Sequence, residues 1–146
     1  MSKTVRLTAA QAMVRYFVAQ QIEDGERFVE GCWAIFGHGN VAGIGEALHA
    51  HRDSFPTWRG HNEQTMAHAA IAYAKQLGRR KAMAVTSSIG PGAANMVTAA
   101  ALAHVNRLPV LLIPGDVFAD RGPDPVLQQI EDGGNGTGTV KDAFKP

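Results

Sequence analysis

Short apolar runs alternating with helix-period segments predict an α/β domain of three layers, a mostly parallel sheet with helices on both faces. Three observations carry that prediction. Continuous apolar runs occur at Cys32-Trp33-Ala34-Ile35-Phe36, Ala82-Met83-Ala84-Val85 and Val110-Leu111-Leu112-Ile113, a pattern that suits strands buried on both faces. Segments of helical periodicity separate them. Glycines cluster just beyond the ends of the runs, at Gly37 and Gly39, at Gly90 and Gly92, and at Gly115. A length of 146 residues fits one domain, or one domain with a tail.

Composition narrows the function. Lys and Arg number 14 against 13 Asp and Glu, a net charge of +1, without the basic excess that nucleic-acid binding uses. No apolar run reaches the ~18 residues a membrane helix needs. The expected partners therefore include neither nucleic acid nor membrane. One cysteine, Cys32, leaves no intramolecular disulfide and fits a reducing compartment. Met1-Ser2-Lys3-Thr4-Val5-Arg6 lacks the apolar stretch of a signal peptide, so the expected location is the cytoplasm.

Thr8 opens the first element with Gln11 three residues on, a capping box, and Ala10, Met13, Val14, Phe17 and Val18 recur on one face. A helix is predicted over 8–21, ended by Glu23-Asp24-Gly25-Glu26. The strand at 32–36 stops at a turn, Gly37-His38-Gly39-Asn40, and a helix is predicted over 41–50. A short strand over 55–58 follows. Residues 62–77 read as a helix with Ala67, Ala70, Ile71 and Ala74 on one close-packing face. Gly78-Arg79-Arg80-Lys81 ends it with the positive charge a helix C-terminus favours. The strand at 82–85 runs into Thr86-Ser87-Ser88-Ile89-Gly90-Pro91-Gly92, then an alanine-rich helix over 93–104 and a strand over 110–113. A short helix is expected at 125–130, and the glycine-rich stretch from Gly133 to Gly138 reads as linker.

Ligands of such folds sit beyond the carboxyl ends of the strands. The loops at 37–40, 86–92 and 114–116 occupy that edge, and Glu63 enters a helix near the same rim. The glycines at 37, 39, 43 and 45 allow two readings. One is a nucleotide-binding turn, although the spacing is GxGxxxG rather than GxGxxG. The other is a tight strand-to-helix turn with close packing. Glu63 reads either as a dipole-favoured charge in a first helical turn or as a functional carboxyl. Among small apolar residues such a carboxyl can share a proton with a ligand nitrogen. The hydroxyls and glycines of 86–92 either admit a flat or anionic ligand or form a simple loop. Of the six histidines, His49, His51, His61 and His68 have no carboxylate or cysteine at zinc-ligand spacing, and no metal site is expected. His38, between glycines on the ligand edge, is the candidate proton carrier.

Several blocks then stand in order along the chain. They are Ile35-Phe36-Gly37; Asn62-Glu63-Gln64 followed by Ala67-His68-Ala69-Ala70 and Tyr73-Ala74; Thr86-Ser87 with Gly90-Pro91-Gly92-Ala93-Ala94-Asn95; and Leu108-Pro109-Val110-Leu111-Leu112-Ile113. Together they resemble the N-terminal pyrimidine-binding domain of thiamine-diphosphate enzymes of the acetolactate synthase and decarboxylase group. The resemblance spans about residues 31–116, with weaker similarity over the rest. Phe36-Gly37-His38-Gly39-Asn40-Val41, Gly60 with Asn62-Glu63-Gln64, and Arg121 through Pro123-Asp124-Pro125-Val126-Leu127-Gln128-Gln129 are most similar to one branch. Its members open the ring of a cyclic polyhydroxy dione to a deoxy-glucuronate in myo-inositol breakdown. Many relatives outside it carry Pro-Gly where this chain has Gly39-Asn40.

The resemblance implies the thiamine-diphosphate-binding fold and a pyrimidine-binding domain over 1–130, with a Gly-rich linker or tail over 131–146. It implies that Glu63 bonds N1′ of the cofactor's aminopyrimidine and favours the imino form that activates the thiazolium. It places Gly39, Asn40, Thr86, Ser87, Pro91 and Asn95 with Glu63 around the cofactor. His38, on the same rim, is the candidate second catalytic residue, for proton transfer or for binding a substrate hydroxyl. The family's diphosphate and Mg²⁺ are held by a C-terminal domain with a Gly-Asp-Gly…Asn-Asn motif, which does not occur here. The chain is therefore expected to be part of a longer enzyme, inactive alone. Its partners are expected to be a cyclic dione and the diphosphate-binding domain of a neighbouring subunit, in a homodimer or homotetramer. Two other functions stay open: an acetolactate synthase-like carboligase or decarboxylase, and a free-standing binding domain without catalysis.

Overall fold

The computed structural model describes residues 4–118, 120, 122, 125–132 and 138–145. Arg121, Pro123, Asp124 and the glycine-rich run at 133–137 lie outside the described residues. Four strands, β1 (Val29–Ala34), β2 (Thr57–Trp58), β3 (Ala82–Thr86) and β4 (Leu111–Ile113), form one sheet in the order β2-β1-β3-β4. Every pairing is parallel. After β1 the chain steps outward to β2 and then crosses back over β1 to β3. The strand order reverses between β1 and β3, which makes their carboxyl ends the place where a crevice opens.

Among the described residues six α-helices flank the sheet: α1 (Ala9–Ala19), α2 (Gly37–Asn40), α3 (Glu46–Ala50), α4 (Glu63–Gln76), α5 (Pro91–Ala94) and α6 (Val97–Asn106). Strand alternation sends side chains to two cores. Cys32 and Ala34 of β1 with Ala84 of β3 meet Val14, Phe17, Leu48 and Phe55 on one face. Met83 and Val85 of β3 meet Met66, Ala70, Met96 and Ala99 on the other. The alanines of α4 let that helix lie close on the sheet; Ala67, Ala70 and Ala74 are fully buried. The three-layer expectation holds.

The first helix keeps its capping box, with Gln11 N–H donating to Thr8 Oγ1 at 3.2 Å and the Gln11 side chain accepting from Thr8 N–H. Asn62 caps α4 by accepting from Thr65 N–H at 3.0 Å. Arg79, read as a charge ending α4, instead donates across to the carbonyls of Arg107 and Asn106 at 3.1 and 3.2 Å, so it serves the C-terminus of α6.

Several boundaries differ from the sequence reading. Strand β1 begins at Val29 and ends at Ala34, because Ile35 N–H still bonds Thr86 O but Phe36 already has helical dihedrals. The stretch 37–40 is the first turn of a helix rather than a loop. Of the glycines at 37, 39, 43 and 45, only Gly37 has a positive φ, +65°, and a Cβ there would meet Ser88 Oγ at 2.4 Å; a Cβ on Gly39 or Gly43 would face open space. From Val41–Gly45 the helix widens into a π-turn, a form often found at functional sites, before α3. The helix expected over 93–104 is two, broken at Asn95 and Met96 where the backbone bonds tighten to Met96 N–H→Ala93 O at 3.0 Å. No helix forms at 125–130: Gln128 has φ +64°, left-handed, and the Gln129 side chain takes the Val126 N–H. Within the stretch read as a tail, Val140–Phe144 forms a 3₁₀ turn with Val140 buried and Phe144 packed on the α4 and α6 core.

Burial pushes the Cys32 thiol up to about 12 from an ordinary 9.0, against a weaker pull from the Thr86 backbone. The folded thiol thus ionises after the unfolded one. Stability that this group contributes below pH 9 is lost as pH climbs from about 9 toward 12. The expected result is that iodoacetamide at pH 8 leaves the Cys32 peptide unlabelled in native protein and labels it fully in guanidinium, read by mass spectrometry. Equal labelling in both would contradict the buried placement.

Candidate active site

Four chain segments converge where the strand order reverses. Strand β1 delivers Gly37, His38, Gly39 and Asn40; β3 delivers Ser87, Ser88 and Ile89; β4 delivers Gly115 and Asp116; and α4 brings Glu63 to the same edge. Two close approaches lock them together. A Cβ on Gly115 would lie 2.8 Å from Ile89 N, so only glycine lets the β4 loop press on the β3 loop. A Cβ on Gly90 would sit 2.0 Å from Gln128 O, so the segment around Gln128 straps across the same turn.

Glu63 opens α4 half-buried. Asn95 Nδ2 donates to its Oε2 at 3.0 Å, while Oε1 lies over Gly92, where a Cβ would come within 3.0 Å. The bare glycine is what lets that oxygen sit so close to the turn. One carboxylate oxygen is held by Asn95 and the other is seated against Gly92, so the carboxyl is fixed in orientation. The break between α5 and α6 is what turns Asn95 to this task.

A cavity of about 410 Å³ lies on the other side of Ser88. His38, Gly39 and Asn40 line one wall, Ser88 and Asp116 supply further polar groups, and Phe36, Ile89, Val117, Phe118, Val126 and Leu127 make the rest apolar. His38 is exposed, with no side-chain hydrogen bond among the described residues. Asn40 Nδ2 donates to Ser87 O at 3.1 Å and so ties the β1 turn to the β3 turn. Ser88 Oγ donates to Gln128 Oε1 at 2.5 Å. Ser88 joins the two halves, for its Cβ also stands 3.2 Å from where a Gly92 Cβ would be.

The nominated residues thus fall into three groups. His38, Gly39 and Asn40 share the cavity, and Glu63 and Asn95 form a bonded pair one residue away from it, with exposed Pro91 starting α5 beside them. Thr86 and Ser87 are 0% exposed with their hydroxyls spent on the Ile113 and Ser88 carbonyls at 3.0 and 2.9 Å. They brace the turn from beneath. Ser88, Asp116 and Gln128 were not nominated as site residues. The signal for Asp116 was the glycine before it at a strand end, while Gln128 reaches Ser88 only through a left-handed turn that no spacing reveals.

Among the described residues no three His, Cys, Asp or Glu side chains cluster as a metal site, and no helix is long and apolar enough to cross a membrane. Comparison with known proteins gives a consistent answer. Residues 7–134 match the family described as thiamine pyrophosphate enzyme, N-terminal TPP binding domain. The chain is 56% identical over its whole length to a 3D-(3,5/4)-trihydroxycyclohexane-1,2-dione hydrolase of Shouchella clausii. It is 55% identical to proteins of the same name from Clostridium tetani, over 98% of the chain, and Bacillus subtilis, over all of it. In each case the chain spans 23% of the relative's length. With the parallel sheet, the strand-order reversal and the glutamate at the head of α4, this establishes that the chain belongs to the N-terminal TPP-binding domain family of thiamine pyrophosphate enzymes.

Proposed function

We propose that this chain is the pyrimidine-binding part of a thiamine-diphosphate-dependent hydrolase that opens trihydroxycyclohexane-1,2-dione to 5-deoxy-glucuronate in myo-inositol breakdown. The observation that carries the reading is Glu63, with one oxygen held by Asn95 and the other seated against the bare Gly92. A carboxyl fixed in this way suits a ring nitrogen that takes up and gives back a proton, so the residues present fit the cofactor. When bound, thiamine diphosphate would supply a nucleophilic carbon and a sink for the electrons of the C–C bond to be cleaved. Glu63 holds and returns a proton at the ring nitrogen, a task for which a partly buried carboxyl is suited. His38, in the adjoining cavity, moves a proton to or from the substrate or grips one of its hydroxyls. Gly39, Asn40 and Pro91 border the cofactor, while Thr86 and Ser87 hold the turn on which it rests.

The relatives' names and the 23% coverage support placing the rest of the machinery outside this chain. The diphosphate and a Mg²⁺ ion are held by the C-terminal domain of a neighbouring subunit in a cytoplasmic homodimer or homotetramer. The test supplies the full-length protein with thiamine diphosphate, Mg²⁺ and trihydroxycyclohexane-1,2-dione and follows the product by mass spectrometry. The expected product is the dione plus one water. Acetolactate formed from pyruvate, with no attack on the dione, would overturn the reading in favour of a carboligase.

A further inference from the structure

We propose that Asp116 reads the ring hydroxyls of the substrate and sets the preference for a polyhydroxylated over a plain cyclic dione. This deepens the reading above and rests on it. The cavity beside Ser88 is mostly apolar, so each polar group on its wall weighs heavily in what it accepts. A hydroxylated ring needs acceptors for its O–H groups, and a carboxylate supplies the most, about four lone-pair sites. Asp116 is the only carboxylate lining that cavity among the described residues.

Its geometry is preorganised. Oδ1 accepts from the Val117 N–H at 2.8 Å, and Oδ2 lies 2.8 Å from Lys141 Nζ. Those two bonds occupy about half its acceptor capacity and fix its orientation, leaving the remainder for a ligand. The side chain is 26% exposed, accessible yet held. Gly115, pressed against the Ser88 and Ile89 backbone, carries the carboxylate to the cavity wall, and Lys141 reaches it from the 3₁₀ turn. Phe36, Ile89 and Leu127 offer apolar surface to the C–H faces of the ring. A plain cyclohexanedione would leave the free acceptor sites of Asp116 without a donor from the ligand.

The experiment uses the full-length enzyme with thiamine diphosphate and Mg²⁺ and measures kcat/KM on trihydroxycyclohexane-1,2-dione and on cyclohexane-1,2-dione. The ratio of the two values divides out any general loss of folded or active enzyme. Asp116→Ala is expected to shrink the ratio about 10–100-fold, the worth of a hydrogen bond to a charged group. Asp116→Asn, which keeps size and one acceptor, is expected to fall between, and it carries the test if the alanine variant does not fold. Lys141→Met removes one of the two bonds that hold the carboxylate and is expected to shrink the ratio less than Asp116→Ala does. Equal losses on both substrates in Asp116→Ala and Asp116→Asn would overturn the assignment. That result would make Asp116 a brace for the cavity wall. A wild-type enzyme that turns over neither dione would instead sink the proposed function, and this inference with it.

Discussion

Glu63→Gln in the full-length enzyme is expected to lower turnover about 10²–10⁴-fold, the range lost when a positioned proton carrier is removed. The substrate KM is expected to change much less, because Glu63 acts on the cofactor and not on the substrate. Glutamine keeps the volume and the reach. Its amide oxygen can still accept from Asn95, as Glu63 Oε2 does at 3.0 Å. That bond then leaves the NH₂ group on the side toward Gly92, where it can donate a hydrogen bond but cannot take up a proton. Folding is expected to be nearly unaffected, since a charge in a first helical turn contributes only about 0.3–1 kcal/mol. Deuterium exchange at C2 of the bound cofactor, read by NMR after acid quench, isolates the step. Slow exchange in the variant is the expected result. Wild-type exchange would make Glu63 a helix-end charge and nothing more.

How much of this was legible depends on the range of the signal. The Thr8–Gln11 capping box, the helical spacing of apolar residues and the apolar runs are local, and they placed α1, α4 and the cores of β1, β3 and β4. The switch between β1 and β3 follows from the strand order, which no run of residues encodes, yet strands alternating with helices already put the loops at 37–40, 86–92 and 114–116 on one edge. Features that depend on contacts across the fold were not legible. Nothing near Asn95 signals that it leaves the helix line to hold Glu63. Thr86 and Ser87 looked like ligand hydroxyls because of their position at a strand end. Their oxygens bond the Ile113 and Ser88 carbonyls instead, since a buried hydroxyl without a partner is costly. The GxGxxxG glycines show the same limit. Gly37 is required by its backbone and by Ser88, but a Cβ on Gly39 or Gly43 would meet nothing within 4 Å, so the spacing mixed a structural requirement with open positions.

His38→Ala is expected to give the complementary signature. Turnover on the dione falls about 10²–10⁴-fold if His38 carries a proton in the reaction, while deuterium exchange at the cofactor's C2 stays at the wild-type rate. The separation follows from where the two residues sit. His38 lines the cavity, whereas Glu63 lies beyond Ser88 against Gly92 and Asn95. Removing the imidazole leaves the Asn40–Ser87 tie between the two turns intact. Because His38 is exposed and makes no side-chain hydrogen bond among the described residues, the variant is expected to keep its stability within about 0.5 kcal/mol. A drop in kcat with unchanged C2 exchange assigns His38 to the substrate step. A rise in KM at constant kcat makes it a hydroxyl-binding group, with the loss confined to ground-state binding. Unchanged kcat and KM leave it as a turn residue between two glycines, and the proton it was assigned must then travel by another group on the cavity wall.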